Sequence, residues 1–398
     1  MKVLLLNTLY HPHIFGGAER SVQVLAEALV AQGHRVSVLT SAIETEEKVA
    51  EVNGVTVHYV RQPNVYSWPP GSTNRFAKAL WHTLEAFNPF ALPVVDRVLE
   101  RVQPEVLHTN TVGGFSPAPW RAARRRGVPV VHTLRDFYLL CPRTTMFRGG
   151  RNCAAQCGTC CVASWPKRRT SAAVSAVVGI GRPILQAHVE RGFFPKAGVR
   201  TVIHNALAQM PVPSCAPAAE PGPKIVLGYL GRLDPSKGLD LLIETVKQFP
   251  ADRFELLIAG KGEEAYEAKL KAAASPHTRF LGFVKPEELF RRIHFLVVPS
   301  LWNEPLSRTG FEALAFGIPV IGARRGGIPE LIEDGRTGFL FEPDEAASLP
   351  GVLSSLSLPM QEQMRARCFE KAQEFAPERV ASQYLAVYEN VLHAREDH

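Results

Sequence analysis

Short apolar runs alternate along the chain with longer segments whose apolar residues recur at the period of an amphipathic helix. In the first half, the runs that predict strands are residues 3–7, 36–40, 106–110, 129–134, 176–180 and 201–205. In the second half they are residues 224–231, 254–260, 279–284, 295–300, 319–323 and 338–342. Strands that alternate with helices are typical of a parallel sheet covered by helices. Because the pattern occurs twice, the sequence predicts two doubly wound α/β domains of Rossmann type.

Helix and linker signals set the domain boundaries. The first long helix is predicted over Ala18 to Gln32, with Gly33 as its stop signal. A proline-rich stretch without periodicity predicts a linker over residues 207–223. We therefore expect a first domain over 1–206, a second over 224–376, and a last helix within 377–398 that packs back towards the first domain.

Composition agrees with a two-domain protein. The chain has 398 residues, of which 46% are hydrophobic and 21% charged, and single cores rarely grow beyond roughly 250 to 300 residues. The amino terminus lacks the three parts of a secretory signal, and no run approaches the roughly 18 apolar residues that span a bilayer. We expect a cytoplasmic protein whose membrane contact, at the inner face, is peripheral.

Charge is distributed unevenly. Residues 1–205 hold 24 Lys and Arg against 12 Asp and Glu, a net charge of +12, and the remainder is at −5. A basic half suggests an anionic partner, such as an anionic membrane surface or a lipid-diphosphate acceptor, with a plain solvated face as the alternative. Nucleic acid is not expected, because the clusters 124–126 and 167–169 lie in no recognisable recognition helix or zinc finger.

The stretch 299–340 carries the clearest chemistry. A predicted strand ends before a loop with Glu304, and a helix begins near Ser307, after Leu306. In parallel sheets, ligands bind beyond the carboxyl ends of the strands, where the N–H groups of a helix start attract phosphate. Glu312 lies ~7 Å further along that helix. We expect Glu312 to reach ribose hydroxyls and Glu304 to lie on the sugar side of the phosphates.

Two cations follow the first strand of the second domain. Arg232 and Lys237 lie in the loop GRLDPSKG, just past the strand end. Arg can hold phosphate with two parallel hydrogen bonds, and Lys adds a mobile point charge. The alternative is that both are ordinary surface cations. Their position at a strand end favours a diphosphate site.

These motifs together resemble glycosyltransferase family 4, the retaining "glycosyl transferases group 1" of the GT-B fold. The resemblance rests on Glu304-PLSRTGF-Glu312 and on GRLDPSKG, IAGKGEE, LGFV, FGIPVIGARRGGIPELI and DGRTGFLF. It implies two Rossmann-like domains that face across a cleft, an acceptor in the first domain, and a nucleotide sugar in the second. It also implies retention of the anomeric configuration and no cofactor or metal in catalysis.

The resemblance assigns roles residue by residue. It implies that Glu304, Arg232 and Lys237 are catalytic, with Glu304 at the sugar and the cations at the diphosphate. It implies that Glu312 binds the ribose, and that backbone groups near Leu306, Ser307, Phe283 and Val284 complete the donor site.

Two positions of the first domain belong to the same expected site. Gly16 and Gly17, in the block FGGAE, permit a close backbone approach to the donor diphosphate, although a simple flexible turn is the alternative. The family commonly has His-Asp where this chain has Arg135 and Asp136. Arg135 is always charged and cannot accept a hydrogen bond, so we expect it to contact a phosphate or an anionic sugar, oriented by Asp136.

Five of the seven cysteines lie between Cys141 and Cys161. The spacing of Cys153, Cys157 and Cys160 is close to that of metal ligands, and with Cys141 they predict a structural zinc. Buried small side chains are the alternative, while a disulfide cluster would need an oxidising compartment.

The expected function is transfer of a hexose from a nucleotide-diphosphate sugar to a glycan or lipid-linked acceptor, in polysaccharide or glycoconjugate biosynthesis. Two alternatives remain open. One is a nucleotide-sugar epimerase of the same architecture, since a fold does not fix a function. The other is a non-enzymatic module that binds glycan or membrane.

Overall fold

The computed structural model describes residues 1–14, 16–42, 46–62, 64, 81, 83–208, 210 and 224–396. Its internal contacts divide the chain into two compact units. The first unit comprises Met1–Met146, Ala154–Ala208 and Pro377–His398. The second comprises Phe147–Cys153 and Gln209–Ala376. The predicted linker falls almost wholly on residues outside the described part.

The first unit is built on an eight-stranded sheet. Its strands are β1 (Lys2–Leu6), β2 (Arg35–Ala42), β3 (Lys48–Val52), β4 (Val55–Arg61), β5 (Val106–Thr109), β6 (Val130–Leu134), β9 (Ala176–Gly179) and β10 (Val199–Val202). They lie in the order β10-β9-β6-β5-β1-β2-β4-β3. The pairings are parallel except that β3 runs antiparallel to β4. The order reverses after β1, which leaves the carboxyl ends of β1 and β5 beside a topological switch point.

Several helices whose bounds are described accompany this sheet. They are α1 (Gly17–Ala31), α2 (Ala91–Val102), α3 (Ala118–Arg125), α4 (Gly158–Thr170), α5 (Arg182–Val189) and, from the end of the chain, α12 (Pro377–Glu396). Helix α1 buries Val22, Leu25 and Leu29 on one stripe, at the period that predicted it. It ends where Gly33 adopts a left-handed conformation with φ of +84°. The predicted bounds of this helix were right to within one residue.

The second unit has a six-stranded sheet in which every pair is parallel. Its strands are β11 (Ile225–Leu230), β12 (Phe254–Ala259), β13 (Thr278–Gly282), β14 (Phe295–Val298), β15 (Val320–Ala323) and β16 (Gly338–Phe341), in the order β13-β12-β11-β14-β15-β16. Its helices are α6 (Leu239–Val246), α7 (Glu264–Ala273), α8 (Pro286–Phe290), α9 (Arg308–Ala315), α10 (Ser348–Ser355) and α11 (Leu358–Ala372). The order again reverses beside β11, so the carboxyl ends of β11 and β14 flank the second switch point.

The predicted fold class, two Rossmann-like parallel-sheet domains, is confirmed. Two features were not predicted. The first is the edge pair β3 and β4. The second is a hairpin of β7 (Phe147–Arg148) and β8 (Arg151–Asn152), which belongs to the second unit although it lies within the predicted first domain. Asn152 fixes it there, since its side chain donates to Leu301 O at 2.8 Å and accepts from Asn303 N at 2.8 Å.

Helix α12 completes the core of the first unit. Val380, Tyr384, Val387 and Val391 pack into the cluster that contains β1 and α1. Among the described residues, no helix combines the length and the apolar character that crossing a bilayer requires.

A buried polar network joins α12 to the sheet. His108 Nδ1 lies 2.7 Å from the hydroxyl of Tyr388, and His108 Nε2 lies 2.8 Å from the hydroxyl of Thr133. The Thr133 hydroxyl is also 3.1 Å from that of Tyr384. Burial holds the pKa of His108 well below its usual range, so the ring is neutral and uses one nitrogen as donor and the other as acceptor.

Replacing Tyr388 with Phe tests this network. The change removes one hydroxyl and leaves a buried nitrogen of His108 without its partner, so we expect the free energy of unfolding to fall by about 1–3 kcal/mol. Urea denaturation followed by circular dichroism measures it. The control Gln383→Ala alters an exposed position on the same helix and should stay within about 0.5 kcal/mol of the parent. Equal stability of Tyr388→Phe and the parent would contradict the proposed role of the network.

Candidate functional site

The loop after β14 carries Glu304, whose side chain is buried. Its backbone is held by close contacts with the loop after β15, where Gly327 N donates to Glu304 O at 2.7 Å. A Cβ at Gly326 would lie 2.0 Å from Glu304 O, and one at Gly327 would lie 2.2 Å from Pro305 O. Because only glycine fits at such distances, these two residues of the GGIPELI motif fix the position of the Glu304 loop.

The Glu304 carboxylate is bound by a cation and a hydroxyl. It accepts hydrogen bonds from Lys237 Nζ and from Ser300 Oγ, and it forms an ion pair with the lysine. Lys237 Nζ also lies 5.3 Å from the centre of the Trp302 ring. Two residues predicted as catalytic from separate motifs are therefore in direct contact. Ser300 and Trp302, which complete the contact, were not predicted.

Lys237 reaches this carboxylate because the loops after β11 and β14 approach closely. Residues Pro235–Lys237 form a single 3₁₀ turn, capped by Asp234, whose carboxylate accepts from Ser236 N at 2.9 Å. Leu301 N then donates to Ser236 O at 2.8 Å. Gly238 follows with φ of +73°, and a Cβ there would lie 1.9 Å from Pro299 O.

Arg232 lies in the same loop but faces solvent. Its side chain is 71% exposed, and its Nη2 is 4.0 Å from Asp234. It lines a shallow depression of about 390 Å³ together with Lys261 and Tyr266. Lys261 was not predicted, although it follows β12 as Arg232 follows β11. Its position just past a strand end is the sequence feature from which Lys261 could have been predicted.

Helix α9 begins at Arg308, with Ser307 as its N-cap residue after buried Leu306. Glu312 lies one turn into the helix and accepts from Arg308 Nε at 2.7 Å. Both side chains of this pair are 17% exposed. Spacing of i and i+4 brings them together, so Arg308 could have been inferred as the partner of Glu312.

Phe283 and Val284 follow β13 at one edge of the sheet. Gly282 adopts φ of +68°, and its carbonyl accepts from Gly260 N at 2.7 Å. Phe283 is 80% exposed. The predicted residues follow the strand order along the carboxyl edge of the sheet. Phe283 comes after β13, Arg232 and Lys237 after β11, and Glu304 after β14.

The carboxyl edge of the second sheet can serve as an anion site next to a polar one. Arg232 and Lys261, just past the ends of β11 and β12, line one depression, and the start of α9 follows β14. The carboxylate oxygens of buried Glu304 can accept hydrogen bonds from hydroxyl groups of a ligand when Lys237 pairs with a phosphate instead.

The first unit contains a cavity of about 680 Å³ at the carboxyl ends of β1, β5 and β6. Predicted Arg135 lines it, with Nε donating to Asn110 Oδ1 at 2.9 Å and Nη1 donating to Asn205 Oδ1 at 2.6 Å. Asn110 is 2% exposed, and its amide nitrogen has no hydrogen-bond partner among the described residues. A ligand with an acceptor oxygen would satisfy that donor.

Lys167 forms part of the cavity wall and is only 3% exposed, unlike its neighbours Arg168 and Arg169. The basic cluster 167–169 was interpreted from sequence as exposed, but only Arg168 and Arg169 face solvent, whereas Lys167 is buried. Lys167 Nζ donates to Tyr138 O at 3.0 Å and lies 3.5 Å from the centre of the Tyr138 ring. Burial lowers the pKa of Lys167 to about 8, although the carboxylates of Glu85 and Asp136 oppose the shift.

Two carboxyl groups face the same cavity. Asp136 accepts from Tyr138 N at 2.8 Å, and desolvation raises its pKa to about 6. Glu85 accepts from the Tyr138 hydroxyl and from Gly114 N at 2.7 Å, and burial raises its pKa. The cavity therefore combines acidic and basic groups rather than a net cationic wall. Glu85 was not predicted, because no local motif marks it.

Gly16 and Gly17 lie at the start of α1, as predicted. Gly16 is the N-cap residue and Gly17 the first helical residue. The N–H of Gly16 donates to the carboxylate of Glu19 at 2.8 Å. The N–H group of Gly16, which was expected to approach the diphosphate of the sugar donor, is therefore hydrogen-bonded to the carboxylate of Glu19.

The prediction of a structural zinc rests on Cys141, Cys153, Cys157 and Cys160. Within the described residues, no group of three or more His, Cys, Asp or Glu side chains is arranged to hold a metal ion. Cys153 belongs to the second unit, whereas Cys141, Cys157 and Cys160 belong to the first. Burial raises the pKa of Cys160 to about 12, and hydrogen bonds with the thiols of Cys157 and Cys141 add to the shift. The structural zinc stays a prediction.

Comparison with known families accounts for nearly the whole chain. The model described as "Glycosyl transferase 4-like domain" matches residues 16–206, and "Glycosyl transferases group 1" matches residues 216–375. A Klebsiella pneumoniae protein, described as an uncharacterized 42.6 kDa protein in cps region, is 31% identical over 83% of this chain and 87% of its own length.

Solved structures share the architecture. Sucrose-phosphate synthase from Thermosynechococcus elongatus superposes with a TM-score of 0.74 at 19% identity, over 98% of this chain and 99% of that one. The Anabaena protein HepE, crystallised with UDP, superposes with a TM-score of 0.72 at 20% identity, over 98% and 100% of the two chains. Together with the two family models, these likenesses identify the chain as a glycosyltransferase of the GT-B fold, a member of glycosyltransferase family 4.

Proposed function

We propose that the chain is a retaining, metal-independent hexosyltransferase that moves a sugar from a nucleotide-diphosphate donor to a glycan or lipid-linked acceptor. The observation that carries the proposal is the buried contact of Glu304 with Lys237 at the switch point of the second sheet. The Klebsiella relative is described as lying in a cps region, which favours a role in polysaccharide or glycoconjugate biosynthesis.

The diphosphate binds at the ends of β11 and β12. Lys237 and Arg232 neutralise it as the bond to the sugar breaks, and Lys261 is near enough to Arg232 to assist. Such fixed positive charge stabilises a leaving group without a metal ion. When the phosphates attract Lys237, the carboxylate of Glu304 becomes free to accept hydrogen bonds from hydroxyl groups of the sugar.

The nucleoside end of the donor lies away from Glu304. Glu312 binds the ribose hydroxyls, at the cost of its ion pair with Arg308. Backbone groups around Phe283 and Val284 bind the base. HepE was crystallised with UDP, so uracil is the first base to test in this chain.

Transfer proceeds on one face of the sugar. The bond from the anomeric carbon to the diphosphate oxygen breaks, the acceptor oxygen forms its bond on the same face, and the acceptor proton passes to the departing phosphate. Lys237, Arg232 and Lys261 stabilise the charge that develops on that phosphate. Analysis of the product anomer by NMR would test this directly, since an inverted product contradicts the retaining mechanism.

The acceptor binds in the cavity of the first unit. The cavity offers the amide nitrogen of Asn110, which has no partner among the described residues, and the carboxyl groups of Glu85 and Asp136 to the hydroxyl groups of a sugar. Its opposing charges favour a neutral sugar over a strongly anionic group at this position.

A panel of nucleoside diphosphates tests donor binding first. The preferred nucleotide should raise the melting temperature, since binding free energy stabilises the folded state. Incubation with nucleotide sugars alone, in the presence of EDTA, then separates the alternatives. Slow release of nucleoside diphosphate supports a metal-independent transferase, whereas clean formation of an epimer would contradict it in favour of a nucleotide-sugar epimerase.

Lys237→Ala and Glu304→Gln test the central contact. Each removes a charge that acts on the leaving group or the sugar, so we expect turnover to fall by roughly 100-fold or more. The rate of nucleoside diphosphate release at saturating donor measures it. Lys269→Ala, which removes a largely exposed cation of the same unit, is the matched control and should keep parental turnover. Parental turnover in Lys237→Ala would refute the assignment.

Glu312→Ala tests the ribose contact. Loss of charge-assisted hydrogen bonds should weaken affinity for the nucleoside diphosphate by roughly tenfold, with a smaller effect on turnover. Isothermal titration calorimetry measures the affinity, and Glu264→Ala, at an exposed position on α7, is the control. Unaltered affinity in Glu312→Ala would place the ribose elsewhere.

Ala163→Phe tests the acceptor cavity, because Ala163 on α4 lines it. The larger side chain should block the acceptor and abolish transfer to lipid or glycan extracts while nucleotide affinity stays at the parental value. Ala163→Ser, which adds little volume, is the control. Full transfer by Ala163→Phe would exclude this cavity as the acceptor site.

A further inference from the structure

Helix α4 of the first unit has two chemically different faces. One face is turned inwards, where Ser164 and Lys167 are buried and Ala163 lines the cavity. The opposite face is exposed along the whole helix. Its residues recur at helical spacing and are Cys161, Val162, Trp165, Arg168 and Arg169.

The exposed face is unusual for a soluble helix. Val162 is 77% exposed and Trp165 is 48% exposed, so two large apolar side chains stand side by side in water. The helix sequence contains no Asp or Glu, and its last turn is basic. The guanidinium of Arg169 lies 4.2 Å from the centre of the Trp165 ring. Isolated exposed apolar residues need no explanation, but an apolar and basic stripe does.

We propose that this outer face of α4 docks on the surface of an anionic lipid bilayer. Charge complementarity favours an anionic bilayer as the partner. Arg168 and Arg169 can pair with lipid phosphates, and residues 1–205 carry a net charge of +12. Trp165 suits the headgroup region, where an amphipathic ring is most stable, and Val162 reaches the acyl boundary beside it. No acidic side chain on the helix opposes the approach.

Docking in this way would place the cavity wall beside the bilayer, since the same helix lines the cavity with Ala163 and Lys167. An acceptor with a lipid tail could then remain in the membrane while its sugar enters the cavity. The docking surface goes beyond the proposed transfer reaction and does not depend on it, although it favours the lipid-linked class of acceptor.

Vesicle co-sedimentation tests the proposal with the full chain. Vesicles of phosphatidylcholine with roughly one quarter phosphatidylglycerol should bind the protein, and pure phosphatidylcholine should not, since surface charge supplies much of the attraction. Two double variants probe the stripe, Arg168→Gln with Arg169→Gln and Val162→Gln with Trp165→Gln. We expect the first to weaken binding by roughly 30-fold at low salt and the second by at least tenfold.

Matched controls distinguish the effect of the residues on the outer face of α4 from the effect of overall charge and apolar surface. Arg35→Gln with Lys48→Gln removes two exposed cations of the same unit, and Val49→Gln removes an exposed apolar residue of β3. Both should keep most of the parental vesicle binding. Melting temperature and nucleotide affinity of every variant should match the parent, which distinguishes loss of docking from loss of fold or donor site.

Three outcomes would overturn the proposal. The parent could fail to bind anionic vesicles, the control pair could weaken binding as much as the arginine pair, or the stripe variants could bind as the parent does. Sedimentation velocity tests a further outcome that would overturn the proposal. If the parent is a dimer and Val162→Gln with Trp165→Gln makes it a monomer, this face binds a second copy of the chain.

Discussion

The carboxyl edge of the second sheet depends on one close backbone contact, between Gly238 and the carbonyl of Pro299. A side chain at Gly238 would collide with that carbonyl, so the loops after β11 and β14 could not lie as they do. Their proximity brings the cation of Lys237 to the carboxylate of Glu304. Gly326 and Gly327 fix the other side of the Glu304 loop in the same way. The charged contact on which the proposed chemistry depends is thus set by glycines that carry no charge themselves.

The sequence predicted most of both sheets because parallel strands covered on both faces are continuous apolar runs. It missed β3 and β4, where Lys48, Glu51, Thr56 and His58 interrupt the apolar pattern at a sheet edge. In the second unit, strand ends and a helix start drew attention to Lys237, Glu304 and Glu312, and the family resemblance supplied the roles proposed for them. Arg308 could have been inferred as the partner of Glu312 from their spacing. Ser300 could not, because nothing in its local sequence marks it as a partner of Glu304.

The first unit was harder to predict, for a physical reason. The groups around its cavity come from distant parts of the chain, with Glu85, Asn110, Asp136 and Lys167 each on a different segment. No local pattern reveals that a lysine in a run of basic residues is buried, as Lys167 is. Arg135 shows the same limit, since two asparagines hold its guanidinium and only the fold places them there. Long-range polar contacts determine this cavity, and they leave little trace in sequence spacing.

Helix α12 returns to the first unit after the whole second unit has been made. The side chain of Gln32 donates to the backbone of Glu378, and Tyr388 bonds to His108, so the two ends of the chain meet in one core. On the ribosome, every residue of the second unit emerges before the last helix of the first. The second unit can therefore be complete while the first still lacks part of its core.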